Sequence, residues 1–157
     1  MKTNYFKALR VLHTALLSGQ GLFFILGFFL VIQKVLPVAS STVDRVLQVI
    51  ALLLSFGSVF GGMNFFKKRL IVIQENPLPL KERAYQYRAA CIVQWSMVEG
   101  ASLFSIVCFL VTGNFAFAAL ALVLIVFFAI LSPNKIKIIL QLRLTSHEVA
   151  LLEGMSE

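Results

Sequence analysis

Glu99 sits in the stretch QWSMVEGASLF, residues 94–104, and no other charged residue lies between Arg88 and Lys135. Ser96 and Ser102 stand three residues to either side of it, and Trp95 one turn before it. A charged side chain at the centre of a membrane helix costs about 2.5–3.5 kcal/mol on insertion scales. Desolvation disfavours the charged form, so a largely neutral carboxyl is expected. Such a group can take up and release a proton or a cation. Ser96 and Ser102, read as sharing its helical face, would hydrogen-bond it. Ser18 and Gln20 from an earlier apolar run would join them if the two helices touch. Two other readings stand beside this one: a protonated carboxyl that glues helices together, and a contact with another subunit.

The remaining chemistry-bearing residues do not converge. The two histidines, His13 and His147, and the single aspartate, Asp44, are scattered. No nucleophile–base pairing, zinc spacing or phosphate-cradling GxxxxGK loop is present. Cys91 and Cys108 are 17 residues apart on one expected helix, about 25 Å at a rise of 1.5 Å per residue, too far for a disulfide. No enzyme activity, cofactor or metal is expected. His13 reads as an interfacial or hydrogen-bonded histidine.

The elements that must hold Glu99 follow from composition. Of 157 residues, 59% are hydrophobic, 13% are charged and 15 are Phe. A soluble domain needs more charge to cover its surface. Four apolar runs, Val11–Ile32, Val46–Phe66, Ala89–Val111 and Phe115–Leu131, approach the roughly 20 residues that cross a bilayer. The expected fold is all-α, a polytopic membrane protein of four transmembrane helices in one membrane domain. Residues 67–88 would form a cytoplasmic connection and residues 132–157 a cytoplasmic amphipathic tail.

The net charge of +7 is explained by orientation. In a four-span arrangement 12 of the 14 basic residues fall on one side, with only Lys34 and Arg45 opposite. The positive-inside rule then puts both termini in the cytoplasm, in a bacterial inner membrane. Lys67, Lys68 and Arg69 add an affinity for anionic headgroups. No interleaved basic and aromatic surface points to nucleic acid. The first run is about twice the length of a signal-peptide core, so an uncleaved span is expected despite the small residues of PVASS.

The second run carries Gly57 and Gly61, echoed one residue later by Ser58 and Gly62. Small residues four apart let helices approach closely in lipid, either within the bundle or between copies of the chain. Pro77 and Pro79 break the middle segment, and Leu80 onward should begin the third helix early. The fourth run, FAFAALALVLIVFFAIL, has no polar side chain and suits lipid contact. KIKIILQLRL is amphipathic by either a two-residue or a helical period. Thr145 and Glu148 have the spacing of a capping box. A shift of 81 residues lays SGQGLFFILGF on EGASLFSIVCF with five identities in eleven positions, and Ser18 then faces Glu99. This suggests two similar hairpins in one orientation, a parallel repeat of a kind found in transporters.

MVEGASLFSIV resembles the carboxylate-bearing helix of the proteolipid c subunits of rotary ATPases, over roughly residues 46–111. That resemblance implies Glu99 as an ion-binding carboxyl. The chain departs from that family in its partner helix, which offers Gly57, Gly61 and Gly62 rather than a long glycine run, and in its longer connection without Arg-Gln-Pro. VEGASLFSIVCFLVTGN and LSPNKIKIILQL also resemble uncharacterised small four-span bacterial membrane proteins, which brings no function. The leading expectation is a proton- or cation-linked membrane protein. A structural or accessory subunit of a larger membrane complex, a homo-oligomer or a small-solute transporter are the alternatives.

Overall fold

The computed structural model describes residues 4–35 and 41–154. Lys2, and Pro37 with the rest of residues 36–40, lie outside them. The described residues form six helices and no strand. They are α1 (Tyr5–Ile32), α2 (Ser41–Glu75), α3 (Leu80–Thr112), α4 (Phe115–Ile130), α5 (Lys135–Leu142) and α6 (Ser146–Gly154). The first three are each long and apolar enough to cross a membrane. At 16 residues, α4 spans about 24 Å, short of the roughly 30 Å hydrocarbon core. With α5 it passes the same test, but the pair is bent by 69°. Among the described residues there are therefore three candidate spans, or four if that pair counts as one.

The helices overrun the apolar stretches at the basic end. The expected connection over residues 67–88 is mostly helix: α2 runs on to Glu75, α3 begins at Leu80, and only residues 76–79 break the chain. Pro79 occupies the N-cap position of α3, where its missing N–H costs nothing. KIKIILQL is helical and ends at Arg143, which adopts the left-handed conformation at φ 50°. The capping box is present. Glu148 accepts from the Thr145 backbone N–H at 2.8 Å, and Thr145 Oγ1 accepts from the Glu148 N–H at 3.4 Å.

At the opposite end, Gly113 turns the chain with φ 67°, a conformation glycine takes without a Cβ penalty. Asn114 caps α4 by accepting from the Ala116 N–H, and donates to Asp44 near the start of α2 at 2.9 Å.

Helix α3 is the centre of the bundle, with α1, α2 and α4 packed around it. Gly62 of α2 lies against the Gln94 backbone and Gly61 against the end of Met97, whereas a Cβ at Gly57 would meet nothing within 4 Å. The small residues Gly61 and Gly62 thus serve internal packing, Ser58 is half-buried beside them, and Gly57 stays open. The contact face of α1 is different. His13 meets Trp95, while Gly27 lets Ile106 and Leu110 of α3 come close. The same ordering along both helices makes α1 and α3 parallel. Helix α4 turns Phe117, Ala118, Ala121, Leu124 and Phe128 inward, so only part of it is left for lipid.

The basic end is also the most polar. Tyr5 Oη donates to the Ala84 carbonyl at 2.7 Å, and Gln74 Nε2 to the Gln141 carbonyl at 2.7 Å. Arg83 pairs with Glu148 at 3.0 Å and also donates to the Leu142 carbonyl. These contacts gather the start of α1, the end of α2, the start of α3, α5 and α6 at one end of the bundle.

Candidate functional site

Glu99 lies half-buried on α3. A step of 100° per residue puts Glu99 and Ile106, seven apart, within about 20° of each other. Ile106 packs toward Gly27 of α1, so Glu99 sits on the side of α3 that faces α1. Trp95, one turn earlier on the same side, packs on His13. Glu99 therefore belongs to the α1–α3 seam, between two contacts that fix its height.

Gln20 occupies the same seam on α1. It stands seven residues from His13 and seven from Gly27, about 10 Å along the axis from each. Since His13 is level with Trp95, and Gly27 with Ile106 and Leu110, Gln20 is level with the stretch from Glu99 to Ser102. The sequence expectation that the first and third runs touch is met at this height.

Gln20 is 1% exposed and Ser102 is fully buried, and neither Gln20 Nε2, Gln20 Oε1 nor Ser102 Oγ has a hydrogen-bond partner among the described residues. Leaving a buried polar group unpaired costs about 1–3 kcal/mol. Other hydroxyls in the bundle avoid that cost by bonding the carbonyl four residues back. Ser55 donates to Ala51, Ser105 to Ala101 and Thr112 to Cys108. Ser102 does not, so its hydroxyl is free to serve a guest.

Ser96 and Ser18 are exposed, whereas Gln20 and Ser102 are buried. Ser96 and Ser102 do not share a helical face: six residues is 600°, which leaves them about 120° apart. Ser102 turns into the bundle, while Ser96 points outward with Gly100 and Val107.

His13, read as an interfacial or hydrogen-bonded histidine, is buried at 1% exposure and hydrogen-bonded. Its Nε2 lies 3.0 Å from the Phe128 carbonyl, so that nitrogen carries the proton and donates. Phe128 stacks on the ring with 4.6 Å between centroids. His13 thereby ties α1 to both α3 and α4.

A cavity of about 370 Å³ opens near the basic end, between α2, α3 and the α4–α5 bend. Sequence reasoning did not anticipate it, because residues from three helices converge there. The one local signal was Gln94, a carboxamide in the same apolar run as Glu99. Both cysteines are buried and free.

Comparison with known protein families, with curated proteins and with solved structures found no match.

Proposed function

We propose that the chain is an integral membrane protein of four spans with both termini in the cytoplasm, in which Glu99 binds and releases a proton or cation at mid-membrane. One observation supports this reading above the others. Two buried polar side chains without partners among the described residues, Gln20 and Ser102, lie at the height of the one acidic residue of the third span. The Gln20 carboxamide can donate to a carboxylate and accept from a carboxylic acid. It therefore suits either protonation state of Glu99, or the coordination of a small cation through Gln20 Oε1, Ser102 Oγ and the carboxylate. A carboxyl reached from the edge of the bundle but facing such a pair is a carrier of one ion rather than a binder of a large solute. The gathering of basic residues at one end supports the cytoplasmic placement of that end. The proteolipid-like resemblance supports the role of Glu99 but not a rotary ring.

The test is proton movement into liposomes. The purified chain would be reconstituted, a pH step applied across the membrane, and internal pH followed with a trapped dye. Wild-type protein is expected to speed equilibration relative to empty liposomes, and Glu99→Gln to abolish the gain. Equal rates for the two proteins would rule out proton carriage by Glu99.

A second reading, a non-catalytic accessory subunit, is favoured by one feature. Ser96 and Gly100 form an exposed small-residue stripe beside Glu99, and a Cβ at Gly100 would meet nothing within 4 Å. A partner helix could pack there and meet the carboxyl.

A further inference from the structure

We infer that the cavity at the basic end is a binding site for the phosphate head of an anionic membrane lipid. Its walls divide by chemistry. Phe66, Leu70 and Leu131 offer apolar surface, while Lys67, Lys137 and Gln94 offer donors. Lys67 and Lys137 are exposed and have no hydrogen bond or ion pair among the described residues. Arg83 and Lys135 are instead paired, with Glu148 and with Glu153. Two unpaired ammonium groups on one cavity, with no acid lining it, select an anion.

Gln94 adds an independent sign of a ligand. It is 7% exposed, lines the cavity, and its amide has no partner among the described residues. Its amide atoms are not sealed from their surroundings, so they open to the cavity and can bond a guest there. Tyr87 Oη donates to Gln141 Oε1 at 2.6 Å, which fixes the Gln141 side chain at the cavity and leaves its amide N–H groups without a partner among the described residues. Donors from α2, α3 and α5 thus converge, and no carboxylate competes.

Depth decides between a lipid and a free anion. Lys67 directly follows Phe66, where the second apolar run ends, the level at which headgroups sit. The volume of 370 Å³ falls within the range of small-ligand sites, about 300–1,000 Å³. The apolar wall would carry the upper part of an acyl chain, and the lysines the phosphate. This site is separate from Glu99 and does not depend on the proposal made for it.

The test uses the delipidated full chain in detergent, titrated with phosphatidylglycerol, phosphatidylcholine or inorganic phosphate and read by native mass spectrometry. Phosphatidylglycerol is expected to bind at least about tenfold more tightly than phosphatidylcholine. The double variant Lys67→Gln/Lys137→Gln should lose about tenfold in that affinity, and Gln94→Leu several-fold. Lys68→Gln/Arg69→Gln, which changes the same net charge outside the cavity, should lose less than twofold. The lysines are exposed, so their replacement should leave the thermal midpoint unchanged. Equal binding of the two lipids would overturn the inference, as would equal losses in the two double variants. Displacement of bound phosphatidylglycerol by millimolar phosphate would assign the site to a free anion and overturn the lipid assignment.

Discussion

Trp95 meets the ring of His13 edge-on, 4.9 Å between centroids. Together with the stacked Phe128 and the bond from His13 to the Phe128 carbonyl, this joins α1, α3 and α4 one turn below Glu99. The α1–α3 seam is therefore held in fixed register one turn below the level that Gln20 and Glu99 share.

His13→Phe should keep the ring contacts and lose the hydrogen bond, at a cost of about 0.5–1.5 kcal/mol. Trp95→Ala should cost more, about 3–5 kcal/mol, because it removes a large buried ring. Thermal melts of the detergent-solubilised protein measure both. A larger loss for His13→Phe than for Trp95→Ala would mean that the polar bond, not the ring packing, holds the three helices.

The two ends of the small-residue motif should behave differently. Gly62→Leu should lower the melting temperature, since its Cβ already sits 3.5 Å from the Gln94 carbonyl oxygen. Gly57→Leu should not, since nothing lies within 4 Å. If Gly57→Leu instead dissociates an oligomer in size-exclusion chromatography, the open glycine is a contact between chains.

The docking of α6 should depend on pH. The Glu148 carboxylate accepts from the Thr145 backbone N–H, is further bonded by the Thr145 hydroxyl, and faces Arg83, and these hold its pKa below the ordinary glutamate value. A depressed folded-state pKa gives stability that is present above the unfolded value. It is lost as pH falls from about 4.5 through the lowered value. For a pair this exposed to solvent the gain is at most about 1 kcal/mol. Hydrogen exchange over residues 146–154 should therefore speed up, relative to α3, as the solution is acidified through this window. Glu148→Gln should exchange at the faster rate throughout. Exchange in wild type that tracks α3 at every pH would mean that the ion pair does not hold α6.

Much of this architecture is legible in the sequence because lipid solvent imposes it. The apolar runs locate α1 to α4, Leu80 starts α3 ahead of its apolar part, and Thr145 with Glu148 announces the turn into α6. Facing was harder to read. Ser96 and Ser102 look equivalent around Glu99, yet six residues of helix separate them in angle, so one faces outward and the other the core. The length of α2 was hidden because Lys67, Lys68 and Arg69 end the apolar run, and Leu70 to Ile73 continue the same helix beyond them. The seat of His13 and the cavity at Gln94 depend on which helices meet, which a run of Phe, Leu and Val does not specify. Gln20 was legible as a partner for Glu99 only on the condition that the first and third helices touch. That it is buried, unpaired and level with Glu99 emerges from the register of α1 on α3.

Carbodiimide labelling tests the central claim most directly. A hydrophobic carbodiimide reacts with proton-bearing carboxyls in lipid, and mass spectrometry reads the modified residue. In lipid nanodiscs, wild-type protein should label at Glu99 in a pH-dependent manner, and Glu99→Gln should not label in the third span. Gln20→Leu and Ser102→Ala should each shift the pH at which labelling changes, because both groups would serve the carboxyl. Labelling that is absent at every pH, or that ignores Gln20 and Ser102, would contradict an ion-linked Glu99.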